Sequence, residues 1–230
     1  MQDKLGALQE ITREQFERLT NSFPELQPRG LTLFLGRYYA HTHPRIMMLG
    51  INPGLDEDLP ADYDLQSYNC LLGDPTDAAA RRICYWRNAG RCFRANPALL
   101  AVMEWATFSF CSPFRTPRWS QTLRPQRELI EVLSRPILQR MLEDCRPTAV
   151  ILAGRVAVPL FARIGEVSLV GGATPEGGRG ARTWTKFVGH AAWGEFDVLQ
   201  VPHFSVCNSL VGLQECGEWL TTVLCQRTTS

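Results

Sequence analysis

The apolar positions of this chain fall into short runs separated by segments with helical spacing. Residues 45–51 (RIMMLGI), 105–110 (WATFSF), 148–153 (TAVILA) and 197–201 (DVLQV) are too short for ordinary helices and are dominated by apolar or aromatic side chains. Such runs are the pattern of strands buried on both faces, as in a parallel sheet. Between them the spacing predicts helices over 78–88, 125–144 and 155–163, with a last amphipathic helix over 214–225. Near the start, Thr12 and Gln15 have capping-box spacing ahead of Phe16, Leu19 and Phe23, with Pro24 as the stop. This gives an N-terminal helical segment within residues 1–40. Pro136 predicts a break or kink in 125–144, and Pro159 either bends its helix or sits in the first turn.

Strands alternating with helices imply an α/β fold: a three-layer α/β/α sandwich around a four-stranded, mainly parallel sheet, as a single domain over 1–230. Residues 171–182 (GGATPEGGRGAR) carry no periodicity and predict a mobile surface loop within that domain. There is no internal repeat. No apolar stretch approaches the roughly 18 residues of a membrane span, and the first ten residues lack the blocks of a secretory signal. A soluble, cytoplasmic, monomeric protein with no membrane partner is the expectation.

Composition changes this picture little. The formal net charge of +1 does not announce a nucleic-acid binder. Lysine occurs only at Lys4 and Lys186, and every other basic residue is arginine. Arginine suits bidentate phosphate contact, but a GC-rich coding sequence explains the bias more simply. The eight cysteines include no C-x-x-C pair, so neither a zinc knuckle nor an iron–sulfur cluster has its usual ligand spacing. They read as reduced core thiols, and no cofactor or metal is expected.

Two strand ends carry candidate chemistry. The first run closes on Gly50-Ile51-Asn52-Pro53-Gly54, and the last leads into His203-Phe204-Ser205-Val206-Cys207-Asn208. Taken singly, the first is an ordinary tight turn and the second an ordinary structural histidine. Their order is more informative. A strand with GINPG, then a strand with an Arg-Pro loop, a strand with Gly154-Arg155 opening a helix, and a strand with His-x-Ser resembles the uracil-DNA glycosylase superfamily. The likeness is greatest to its mismatch-specific and single-strand-selective branches. It runs thinly over about residues 45–210 and strongly only over 50–55, 150–157 and 203–208.

That resemblance implies DNA as partner and a monofunctional glycosylase, which flips a base and hydrolyses its N-glycosidic bond to leave an abasic site. It implies Asn52 as the residue orienting the attacking water and His203 as the hydrogen-bond donor to the departing base. Gly50, Ile51, Pro53 and Gly54 would line the base pocket with Tyr68 as a stacking aromatic. Phe108 and Phe110 are stacking candidates too, or simply buried strand aromatics. Arg115, Gly154, Arg155, Ser205 and Asn208 are the candidates for DNA contact, with Ser209 and Leu210 as the wedge that fills the gap left by the flipped base. The chemistry suits these residue types. Glycosidic cleavage passes through an oxocarbenium-like state, and an amide that only orients water suffices when the base leaves easily as an anion. Neither lysine lies in a motif, so no Schiff-base lyase step is expected.

The sequence departs from the family at two places. The second strand of uracil-reading relatives ends in an Asn that reads the pyrimidine edge, and here Ser109 and Phe110 occupy that region. Phe204 and Val206 stand where prolines are common. Both departures point away from plain uracil, toward a damaged or enlarged pyrimidine in repair or anti-phage defence. Asp56, Glu57, Asp58, Asp62 and Asp64 form either a solvated loop or the source of one pocket carboxylate. Arg81, Arg82, Arg87, Arg91 and Arg94 read as a solvated helix face. Two other readings stay open: a catalytically inactive nucleic-acid-binding protein of the same fold, and an unrelated α/β enzyme using His203 with Cys207.

Overall fold

The computed structural model describes residues 2–24, 45–52, 84–116, 119–172, 176–178, 183–205, 207 and 209–225. In chain order these give α1 (Gln2–Ser22), β1 (Ile46–Gly50), α2 (Cys84–Phe93), α3 (Pro97–Met103), β2 (Thr107–Phe110) and α4 (Arg124–Cys145). There follow β3 (Ala149–Ala153), α5 (Ala157–Gly165), β4 (Ser168–Gly171), β5 (Thr185–Ala191), β6 (Gly194–Val201) and α6 (Leu210–Cys225).

One mixed sheet runs through the described residues in the order β2-β1-β3-β6-β5-β4. The four strands expected from the apolar runs are β2, β1, β3 and β6, and all are mutually parallel. The register pairs Met48 with Phe108 and Ile151, and Ile151 in turn with Leu199. Every residue of β1, β2 and β3 is buried. A strand that alternates faces can be buried throughout only if both faces are covered, and they are. Met47, Leu49, Val150 and Leu152 pack with Leu8, Ile137, Leu160 and Phe161 from α1, α4 and α5. Ile46, Met48, Phe108, Ile151 and Leu199 pack with Phe93, Leu99, Met103, Leu213 and Leu220 from α2, α3 and α6.

The expected four-stranded sheet is corrected to six. A β4–β5 hairpin, which the sequence pattern did not predict, joins β6 on its far side through antiparallel pairs. It follows that 171–182 is not one loop. Gly171 ends β4, and Gly177 bridges Trp184, while 173–175 and 179–182 lie outside the described residues.

Two other local expectations, a helix cap at Thr12 and a break at Pro136, fail for physical reasons. Thr12 does not open a helix: it sits in the middle of α1, and its hydroxyl donates to Leu8 O at 2.7 Å. The predicted cap is an i−4 back-bond. Pro136 does not interrupt α4, which is continuous. The carbonyl deprived of a partner belongs to Val132, which is 54 % exposed, so water can satisfy it. Pro159 does fall in the first turn of α5. Five described cysteines, Cys92, Cys111, Cys145, Cys207 and Cys216, are buried free thiols. No helix among the described residues is long and apolar enough to cross a membrane.

Candidate functional site

Because β2, β1, β3 and β6 are parallel, their carboxyl ends share one edge of the sheet. The chain leaves β1 to one side for β2 and then crosses to the other side for β3, so the order reverses between β1 and β3. Such a reversal point is where ligands of α/β sheets usually bind. Asn52 follows β1 and Gly154 follows β3, so they flank this point. His203 follows β6, one strand further. Two strand spacings put the backbones carrying Asn52 and His203 about 10 Å apart, wide enough for a flat ring between them.

The ladder between β1 and β2 continues past the strand ends, with Cys111 N–H donating to Gly50 O (2.8 Å) and Ser112 N–H to Ile51 O (3.0 Å). This brings residues 112–116 alongside Asn52. The half-buried Asn52 amide then donates through Nδ2 to Thr116 Oγ1 at 3.1 Å and more weakly to Thr116 O at 3.4 Å. Its plane is thereby held. Gly50 and Ile51 are part of the same supported strand end.

On the other side, Gly154 N–H donates to Val201 O at 2.9 Å, extending the β3–β6 ladder to the loop that carries the histidine. Gly154 has φ +100°, and a Cβ there would lie 3.2 Å from His203 Cβ and 3.3 Å from its Cδ2. Glycine is needed twice over, for the backbone angle and for the close approach of the ring. His203 Nδ1 is 2.5 Å from Ser205 Oγ. Burial pushes the imidazole below its ordinary value, because the charged form loses hydration.

One residue that sequence reasoning missed anchors this loop. Asn88, buried on α2, donates through Nδ2 to Phe204 O (2.8 Å) and Cys207 O (3.0 Å). The Phe204 ring packs edge-on to Phe93 on the same helix, with centroids 5.9 Å apart. The only advance signal for Asn88 was its place on the flank of the apolar face made by Ala89, Cys92 and Phe93.

No protein-family model and no curated protein sequence matches this chain. The site must be read from its own geometry.

The remaining candidates separate clearly. Phe108 is a core residue and no wall of the site, since it is 1 % exposed with its ring 6.5 Å from that of Phe93. Phe110 stands nearer the edge, at the end of β2, and is also buried. Arg115 was expected on an exposed loop, but it is buried at 1 % exposure and offers no surface contact. Arg155 is exposed and donates to Thr183 Oγ1 at 3.1 Å. With Val158, Pro159, Gly172, Thr183 and Gln200 it lines an open cleft of about 270 Å³ beside His203's strand, not between Asn52 and His203. Ser205 is exposed. Ser209 is the cap of α6, its Oγ accepting from Gly212 N–H at 3.2 Å. Leu210, in the first turn, is 55 % exposed. Pro53, Gly54, Tyr68 and Asn208 lie outside the described residues, as do the acidic positions 56–64.

Proposed function

We propose that this chain is a monofunctional DNA glycosylase that hydrolyses an N-glycosidic bond and leaves an abasic site, acting on a modified pyrimidine rather than plain uracil. The observation that carries this reading is the placing of Asn52 and His203 after parallel strands on either side of the β1/β3 switch point, each held by a separate hydrogen-bonded support. Supporting it, the four strands expected from the apolar runs are parallel, and Asn52, Gly154 and His203 follow the carboxyl ends of three of them.

In the reaction, the target base enters between the two residues and the bond from its nitrogen to C1′ lengthens. Positive charge grows on the sugar and negative charge on the base. With Ser205 O–H donating to Nδ1, the imidazole proton sits on Nε2, where it donates to the base as it becomes an anion. A neutral ring performs this task, and burial of His203 keeps it neutral near pH 7. Asn52, its amide plane held by Thr116, orients the water that adds to C1′. An amide cannot take a full proton, so the water's proton leaves to solvent after the bond to the base has largely broken. Leu210 fills the space vacated by the flipped nucleotide.

The test is abasic-site formation on oligonucleotides containing uracil, mismatched thymine, hydroxymethylated, glucosylated or oxidised pyrimidines. Alkali-labile product from one of these, reduced by about 10²–10³-fold in His203→Ala and by a similar factor in Asn52→Ala, is the expected result. DNA binding with no product on any substrate overturns the glycosylase reading in favour of a non-catalytic binder of the same fold.

A further inference from the structure

The cleft beside β6 holds polar groups that the catalytic reading does not use. Thr185 and Gln200 are paired directly across the β5–β6 ladder, so their side chains leave the same face, with Cβ atoms about 5 Å apart. Both residues are only 5 % exposed, and both line the cleft beside the first turn of α5. Gln200 Nε2 spends its two N–H groups on Thr183 O (2.8 Å) and Val201 O (3.1 Å), which fixes the amide and leaves Oε1 as a held acceptor. Neither that Oε1 nor the Thr185 hydroxyl has a hydrogen-bond partner among the described residues, and neither is sealed from solvent. The buried hydroxyls of Ser109, Ser112 and Ser134 also lack partners, but they are closed off in the core. Thr185 and Gln200 differ in opening on a cavity.

The position of the cleft ties it to the site. Because β5 is antiparallel to β6, Thr185 near its start lies level with Gln200 near the end of β6. The cleft therefore shares the sheet edge with His203, which is three residues past Gln200 and at most about 10 Å along the chain. Gly154, which lies against the His203 ring, is followed by Arg155 on the rim of the cleft. No carboxylate lines it, and Val158, Pro159 and Phe187 supply apolar walls. At about 270 Å³ it is at the small end of ligand sites, with room for one heterocyclic ring.

We propose that this cleft takes the nucleobase of a nucleotide next to the target, with Gln200 Oε1 accepting from a base N–H and the Thr185 hydroxyl donating to the adjacent ring nitrogen or carbonyl. The proposal rests on the reading of the site as one that acts on DNA. A held acceptor beside a hydroxyl matches the Watson–Crick edge of an unstacked base, where an N–H adjoins an acceptor, and apolar walls suit the ring faces. A phosphate in the same place would meet the Gln200 oxygen, which repels an anion. All four bases carry an N–H beside an acceptor, so the cleft adds affinity more than sequence preference.

The test is an NMR titration of isotope-labelled protein with each of the four deoxynucleoside monophosphates and, separately, with deoxyribose phosphate. The nucleotides shift the amides of Thr183, Thr185 and Gln200, and the base-free sugar phosphate does not. Thr185→Val, which keeps the shape and loses the hydroxyl, weakens binding about two- to tenfold, the worth of one neutral hydrogen bond. Val158→Trp, which fills the cleft from the half-buried first turn of α5, removes the shifts. In the abasic-site assay, deleting the base on one side of the target raises KM about two- to tenfold for wild type and has no further effect in Val158→Trp. Nucleotide shifts that are absent, or confined to Asn52, Gly154 and His203, overturn the inference and leave the glycosylase reading intact. Equal shifts from the sugar phosphate, or a wild-type KM unchanged with either neighbouring base deleted, overturn it too. Nucleobase binding in the cleft without abasic product on any substrate supports the cleft and overturns the glycosylase reading alone.

Discussion

The two faces of the sheet solve different problems. On the α1, α4 and α5 side the core is dominated by apolar side chains, and Arg124, Arg135 and Arg163 outside it pair with carboxylates on neighbouring turns or helices. On the α2, α3 and α6 side the core also encloses Asn88, whose side chain donates to the loop that carries His203. The first face stabilises the sheet. The second additionally holds the His203 loop at the sheet's edge, and on the proposed function the contrast predicts that damage to each will read out differently.

The largest stability effect belongs to the first face. Phe161 is fully buried and meets Phe196 edge-on at 6.5 Å. Phe161→Ala should cost about 3–5 kcal/mol in denaturant unfolding, by transfer and cavity together. The protein that remains folded should keep wild-type affinity for DNA. A variant that stays stable yet loses function would break the division between the faces.

Asn88→Leu comes next and tests the second face. It keeps the volume but leaves the Phe204 and Cys207 carbonyls buried without these donors, at about 1–3 kcal/mol each. Unlike Phe161→Ala, it should also lower the turnover of the folded fraction, because the His203 loop loses its anchor. Turnover at the wild-type level under conditions where the variant is fully folded would show that the loop is held by other means.

How far these roles could be read from sequence differs between the same two faces. The strands β1, β3 and the end of β6 were legible because parallel strands buried on both sides leave unbroken apolar runs. So were Asn52 and His203 as strand-end residues. Asn88 was not, because a polar residue in a helix looks solvated until its distant partners are known. The β4–β5 hairpin was hidden for another reason. β4 is largely exposed and has no apolar alternation. β5 carries Gly189, where a Cβ would lie 2.6 Å from the Phe196 ring on the paired strand, so the strand signal is weakened where packing is tightest. Thr12 misled in the opposite sense, because a hydroxyl that caps a helix and one that bonds back to i−4 look identical in sequence.

A smaller effect is expected where the two strand ends meet. Gly154→Ala forces an L side chain into φ +100° and crowds His203 at 3.2 Å. Backbone strain of this kind costs about 1–3 kcal/mol. On the proposed function, turnover should fall by a larger factor than substrate affinity, since the displaced group is the imidazole. Equal losses in kcat and binding would place Gly154 in DNA contact instead of behind the ring.

The smallest effect is a pH dependence. Burial lowers the His203 pKa from its ordinary 6.5, so the unfolded chain takes up a proton on this ring at a pH where the folded protein does not. Within that window the unfolded state binds more protons, and stability must rise with pH. Cooling the comparison to this one group requires His203→Gln, which keeps a donor but cannot titrate. Denaturation measured from neutral pH to well below 6.5 should show wild type losing stability relative to the variant as pH falls through the window. On the proposed mechanism the same ring acts in its neutral form, so the acid limb of the rate should lie below 6.5, with activity flat across the ordinary histidine range. An acid limb at or above that value would mean that the His203 ring is solvated, and that burial does not keep it neutral.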